Sequence, residues 1–90
     1  FAVSSNYPNP FNPTTNVNIS LPEQSKLMVS VYDISGRIVA KLVNRHFDAG
    51  KYTLAWNGLS NSGTQVPTGI YFLEVKTTKN RHIQKLAYIK

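Results

Sequence analysis

The chain has no cysteine. That removes disulfides, thiolate metal sites and cysteine nucleophiles in one step, while leaving the compartment open, since exported bacterial proteins can also lack cysteine. Acid is scarce: four Asp and Glu stand against ten Lys and Arg, for a formal net charge of +6. The four acids, Glu23, Asp33, Asp48 and Glu74, are each at least ten positions from the next, so the sequence spells out no carboxylate pair for acid–base work. There is no run of 18 apolar residues, as a membrane-spanning helix would need. Nor does a basic stretch lead into an apolar one, as in a signal peptide. Because the chain starts at Phe1 without an initiator Met, we expect a piece of a longer protein. A helical period is missing too. The best stretch, 37–47, is β-branched and alternates in steps of two.

Little is left for catalysis or metal binding. Neither His46 nor His82 has a partner at metal-ligand spacing, and both read as solvated side chains. Ser60 and Ser62 sit in a Gly-flanked loop with no G-x-S-x-G and no visible base. The 57–63 loop offers oxygens but no carboxylate, so it reads as a tight turn and not as a calcium site. No enzyme, cofactor or metal is expected.

Ninety residues make one domain with one core, and 41% hydrophobic content suits a folded chain. The charge is unevenly placed. Residues 1–22 carry none, whereas Lys76, Lys79, Arg81, Lys85 and Lys90 follow Glu74 with no further acid. A basic end suits nucleic acid, an anionic membrane surface or an acidic partner. It also suits plain solubility and lysines that guard a sheet edge. Nucleic-acid binding would rest on charge alone, since no motif accompanies it.

Alternation in steps of two predicts strands throughout. Val17, Ile19 and Leu21 share one face, with Asn16, Asn18 and Ser20 on the other, and Pro22 ends the run. Leu27, Val29 and Val31 alternate with Met28, Ser30 and Tyr32. A hairpin is expected at Asp33–Arg37, where Gly36 can take φ > 0. A third strand spans 37–44, with Ile38, Ala40 and Leu42 set against Val39, Lys41 and Val43. After a turn at 48–50, Tyr52, Leu54 and Trp56 form a buried face. Tyr71, Leu73 and Val75 then oppose Ile70, Phe72, Glu74 and Lys76. The last strand, 81–89, is apolar on both faces, so its inward side is not readable. Six or seven short strands with regular turns predict an all-β, immunoglobulin-like antiparallel β-sandwich anchored on Trp56. Tyr32, Phe72 and Tyr88 could alternatively make a stacking platform for sugars or bases.

Residues 1–14 form a Pro/Asn-rich opening segment ahead of a sandwich at 15–90. Three prolines, Pro8, Pro10 and Pro13, cannot donate to a ladder. They should hold the chain extended, with Asn9 and Asn12 closing turns on their own backbone. Tyr7 and Phe11 should tuck into the open end of the sandwich.

The run Asn6-Tyr7-Pro8-Asn9-Pro10-Phe11-Asn12-Pro13-Thr14-Thr15 resembles the opening of the type A C-terminal sorting domains of the type IX secretion system of Bacteroidetes and related bacteria. Val31-Tyr32-Asp33-Ile34-Ser35-Gly36-Arg37 is similar to that family's hairpin, Ala49-Gly50-Lys51-Tyr52 to its A-G-x-Y turn, and Pro67-Thr68-Gly69-Ile70-Tyr71-Phe72 to a later strand. Gln84-Lys85-Leu86-Ala87-Tyr88-Ile89-Lys90 resembles its closing K-x-x-x-x-K strand. Trp56, Gly58, Gly63, Gly69 and Tyr71 also resemble the immunoglobulin-like domain of flagellar hook-capping proteins, with Asn57 where that pattern has Asp. The sorting-domain resemblance implies a non-catalytic targeting domain. It would sit behind an upstream cargo, pass through the periplasm, and end at the surface or in the medium. An outer-membrane translocon would recognise it, and it would then either be cut on its N-terminal side by a sortase-like cysteine peptidase or be used for surface attachment. Candidate recognition residues are Lys85, Leu86, Ala87, Tyr88, Ile89 and Lys90, on a strand expected at a sheet edge, where dimerisation is also possible. The competing reading is an accessory or carbohydrate-binding module of a multidomain surface enzyme.

Overall fold

The computed structural model describes residues 1–89. Seven strands run in order: β1 Ala2–Val3, β2 Thr15–Leu21, β3 Ser25–Tyr32, β4 Ile38–Phe47, β5 Gly50–Trp56, β6 Gly69–Lys76 and β7 Arg81–Tyr88. They form a three-stranded sheet, β1-β2-β5, and a four-stranded sheet, β4-β3-β6-β7. All pairings between them are antiparallel. The all-β, immunoglobulin-like sandwich expected from the alternation is what the chain builds, with no helix among the described residues.

The period of two decides which side chains meet between the sheets. Val17, Ile19 and Leu21 of β2 face Leu27, Val29 and Val31 of β3 and Tyr71, Leu73 and Val75 of β6, all buried. Burying each Val, Leu or Ile is worth about 1.5–3 kcal/mol. A one-residue slip of β3 would replace Leu27, Val29 and Val31 by Met28, Ser30 and Tyr32, losing several such terms at once, so the register is firmly set.

The third expected strand is longer than its alternation suggested, and it is bulged. β4 takes two steps for one of β3 between Tyr32↔Ile38 and Val31↔Ala40, and again between Ser30↔Lys41 and Val29↔Val43. The extra residues are Val39 and Leu42. They re-phase the strand, so Ala40 is buried while Ile38 is 44% exposed, and a single face of Ile38, Ala40 and Leu42 does not exist. β1 was not anticipated. It pairs Ala2↔Ser20 and Val3↔Ile19 on the edge of β2, and two residues are too few to show a period.

Polar side chains fix the turns. The Asp33 carboxylate accepts hydrogen bonds from Ser35 N (2.9 Å), Ser35 Oγ (2.6 Å) and Arg37 N (3.1 Å), and Gly36 turns the loop at φ 87°. Two tyrosines tie their strands to the chain four residues upstream: Tyr52 OH donates to Asp48 O and Tyr71 OH to Pro67 O, both at 2.6 Å. Trp56 Nε1 donates to Leu59 O at 2.9 Å, which satisfies the indole while its rings stay in the core. Asn61 covers the outer edge of β4, its N–H bonding Val39 O (3.0 Å) and its Oδ1 accepting from Lys41 N (2.8 Å).

Candidate functional site: a strapped terminal strand

The opening segment joins both sheets. Ser4 N donates to Asn18 O, and Tyr7 and Asn16 exchange both backbone bonds, all at 2.9 Å. The chain thus first extends the β2 edge. It then crosses to the other sheet, where Phe11 N donates to Ala87 O (3.0 Å) and Ile89 N donates to Phe11 O (3.1 Å), in a parallel bridge between Phe11 and Tyr88. One side of the sandwich is closed in this way by residues 4–11, which act as a strap.

Side chains pin the strap at several points. Phe11 is 1% exposed. Its ring centroid lies 5.1 Å from that of Tyr88 and 5.6 Å from that of Trp56, and Trp56 meets Tyr71 edge-on at 5.4 Å. Buried Asn6 donates to Thr15 Oγ1 (3.0 Å), and Thr15 Oγ1 donates to Pro8 O (2.9 Å). Asn9 Oδ1 accepts from Ala87 N at 3.2 Å. Gln84, with its amide nitrogen toward the acceptors, donates to His82 Nε2 (2.7 Å) and Ser4 O (3.0 Å) and accepts from Asn6 N (3.1 Å). His82 is therefore half-buried beside the strap and not a solvated side chain, whereas His46 is exposed.

Three details of the opening segment differ from expectation. Tyr7 does not tuck in. It is 45% exposed and lies along the outer face, where its OH bonds Asn18 Oδ1 at 2.9 Å. Asn9 closes no turn of its own but reaches β7. Residues 8–10 and 12–13 form bends and not an extended run, and the bonds before Pro8, Pro10 and Pro13 are cis.

β7 is an edge strand, and the strap divides it. Its outward N–H and C=O groups belong to the residues in step with Ala87. Both groups of Ala87 and the N–H of Ile89 bond the strap. Those of Arg81, Ile83 and Lys85 have no backbone partner among the described residues. The six candidate recognition residues thus fall into separate groups. Leu86 and Tyr88 are core, at 0% and 1% exposure. Lys85 and Ile89 are exposed, and Ala87 is half-buried. Lys90 lies outside the described residues.

Most of the other motif residues have structural roles. Asp33 and Gly36 close the hairpin, Gly50 and Tyr52 open β5, and Trp56 and Tyr71 fill the core. Gly58 sits at φ 75°, where a Cβ would come within 3.1 Å of the Tyr88 ring, so it is needed for both its backbone and its missing side chain. At Gly69 a Cβ would meet nothing within 4 Å, and nothing in the structure explains the glycine there.

Glu74 is the partly buried acid on β6, the strand beside β7. Its carboxylate takes Arg81 Nε at 2.6 Å and Tyr32 OH at 3.2 Å. The Arg81 hydrogen bond holds the Glu74 carboxyl below the usual carboxylate range. Burial, then the Glu74 charge, pushes the Tyr32 hydroxyl up. The proposed aromatic platform is only partly assembled: Tyr32 and Phe72 are directly opposed on the outer face, but Tyr88 is in the core. Among the described residues no three His, Asp or Glu side chains cluster to hold a metal ion, and no helix is long and apolar enough to cross a membrane.

The family profile of the FlgD Ig-like domain matches residues 5–81. Among solved structures, FlgD from P. aeruginosa is similar with a TM-score of 0.64 and 28% identity, over 82% of this chain and 59% of that one. PorZ, described as an essential bacterial surface component of the type IX secretion system of Porphyromonas gingivalis, gives a TM-score of 0.65 at 22% identity, over 96% of this chain and 11% of its own. Dimeric latent PorU from the same species gives 0.71 at 18% identity, over 94% and 9%. At those identities the matching parts of the last two share the fold. The chain spans less than two thirds of each of these proteins. No curated protein sequence matches it.

Proposed function

We propose that this chain, which belongs to the FlgD Ig-like domain family, is a non-catalytic sorting domain. In this reading an exported cargo protein carries it to the type IX secretion machinery of the outer membrane. The cargo passes through the periplasm to the surface or the medium. A sortase-like cysteine peptidase acts on the domain's N-terminal side. The observation that carries this reading is that the decapeptide Asn6–Thr15 is part of the fold. It binds the end of the terminal strand through Phe11, Asn9 and the backbone of Ala87 and Ile89. The two segments that most resemble a sorting signal, from opposite ends of the chain, are thus assembled into one feature. Next to it, Arg81, Ile83 and Lys85 offer free edge groups of the kind a partner strand can use. The type IX context of PorZ, part of which has this fold, is in keeping with this.

The test attaches residues 1–90 to the C-terminus of a periplasm-directed fluorescent protein in a bacterium with an active type IX system. Reporter at the surface or in the medium, lost when residues 81–90 are removed, is the expected result. Reporter exported equally well without those residues would overturn the role given to β7. A glycan-binding accessory module is the second reading, favoured by the Tyr32–Phe72 pair on an outer face. It predicts retention of the isolated chain on a polysaccharide column, weakened by Phe72→Ala.

A further inference from the structure

We propose that the outer face of the four-stranded sheet is a docking surface for a protein partner that is acidic at its rim and apolar at its centre. This rests on the composition of the face and is independent of the export reading.

The two outer faces of the sandwich differ in kind. The outer side of β2 and β5 shows Asn16, Asn18, Ser20, Lys51 and Thr53, and its polar groups bond one another: Tyr7 OH and Thr53 Oγ1 both donate to Asn18 Oδ1 at 2.9 Å. That is the solvated face a sandwich should have. Across the other sheet, register places Ile38, Tyr32, Phe72 and Lys85 in one row, and Lys41, Ser30, Glu74 and Ile83 in the next. Ile70 and Ala87 extend it. Ile38, Ile70 and Ile83 are 44%, 37% and 47% exposed. Such a contiguous apolar patch marks an interaction site. The outward apolar residues also explain why β7 reads as apolar on both faces: one set packs the core and the other stands on this patch.

Charge narrows the partner. Lys41, Lys76, Arg81 and Lys85 surround the patch. Of the two acids beside it, Glu74 is neutralised by Arg81 at 2.6 Å, and Asp33 is engaged by Ser35 and Arg37 of its own hairpin. A second copy of the same face would set these cations against their equals, which is repulsive. An acidic rim complements them. Shape separates protein from lipid. Between Tyr32, Phe72, Glu74, Arg81 and Ile83 lies a depression of about 340 Å³, overhung by the Asp33–Arg37 hairpin with Ile34 78% exposed at its lip. A concave seat floored by a carboxylate takes a protruding side chain of a protein. A membrane-inserting face would instead be convex and free of carboxylate. Aromatic and arginine side chains in such a seat are the groups that dominate protein interfaces.

The test titrates the isotope-labelled 90-residue chain, observed by NMR, with three probes: a synthetic peptide alternating Asp/Glu with Phe/Leu, the same peptide with Lys in place of the acids, and phosphatidylglycerol vesicles. The expected result is binding of the acidic peptide, with shifts at Tyr32, Phe72, Ile83 and Lys85 and none at Asn18 and Thr53. A Lys41→Glu, Lys85→Glu double variant should weaken it about tenfold or more, and Lys51→Glu on the opposite face about twofold or less, because screening confines the effect to nearby charges. Both sites are exposed, and unchanged melting curves verify that the variants fold. Four outcomes overturn the proposal: no binding of the acidic peptide, equal binding of the basic one, shifts on the β2–β5 face, or binding of the vesicles alone.

Discussion

Replacing Phe11 by Ala asks whether the opening segment belongs to the folded core or merely lies on it. Phe11 is 1% exposed and stacks on Tyr88 and Trp56 at 5.1 and 5.6 Å. A buried Phe→Ala change costs about 3–5 kcal/mol, part transfer and part cavity. At about 0.05–0.15 kcal/mol per residue, a chain of this size holds about 5–13 kcal/mol in all. The variant should therefore lose a large share of its stability. At about 4–8 °C per kcal/mol, melting should fall by at least about 12 °C. Urea unfolding followed by Trp56 fluorescence is the assay, because Trp56 touches the site of the change. Tyr7→Ala is the control. Tyr7 is equally aromatic and only four positions away, but it is 45% exposed with one surface hydrogen bond, so its loss should cost about 1 kcal/mol or less. Hydrogen exchange adds a local readout. In the Phe11 variant the Ile89 amide, which bonds Phe11 O at 3.1 Å, should lose protection first. If Phe11→Ala unfolds within about 1 kcal/mol of the parent, the strap is not part of the core, and the reading of the decapeptide as structure is wrong.

Gly58→Ala should destabilise by about 2–4 kcal/mol, combining left-handed strain with overpacking against Tyr88. Gly36→Ala has a similar φ but nothing within 4 Å of the added carbon and should lose only the strain, about 1–2 kcal/mol; equal losses in urea would remove the ring clash from the account. Arg81 holds the folded-state carboxyl of Glu74 below its ordinary range. The unfolded chain therefore takes up the proton first as pH falls. The stability from this pair is full above the unfolded carboxylate range, about 4.3–4.5, and is lost as pH drops through the folded value. Glu74→Gln should accordingly flatten the fall in urea midpoint between about pH 5 and pH 3, and parallel curves for the two proteins would remove the pair from the acid response. Lys85→Ala, at an exposed edge position, should change stability by about 0.5 kcal/mol or less, so any loss of reporter export in that variant reports recognition and not folding.

How much of this was legible depends on whether a residue's partner is near in sequence. β2, β3 and β6 were readable because each alternates cleanly, and the hairpin was readable because Asp33 and Gly36 act within four positions. β4 was misread in phase because its two bulges insert Val39 and Leu42, and a bulge leaves no local mark when the extra residue is itself apolar. Gln84 and Asn6 carry no local sign of the strap bonds they make, because Gln84 reaches Ser4 and Asn6 across the fold. Asn9 looked like a turn former because its actual partner, the Ala87 amide, lies 78 positions away. No local rule pairs those two.

That same distance bears on mechanism. The decapeptide and the terminal strand meet only when the sandwich has closed, since their contact requires Phe11 to pack between Trp56 of one sheet and Tyr88 of the other. An unfolded chain presents neither the strap nor a defined edge at Arg81–Lys85. A receptor that read this feature would read the folded state, and its selectivity would track the fraction folded. Phe11→Ala and Lys85→Ala therefore make a discriminating pair in the reporter assay. The first should lose export in step with its loss of stability, and recover it at lower temperature where the fold returns. The second should show an export defect that temperature does not repair. Loss of export by Phe11→Ala at a temperature where the variant is fully folded would instead place Phe11 among the residues read directly, which its 1% exposure argues against.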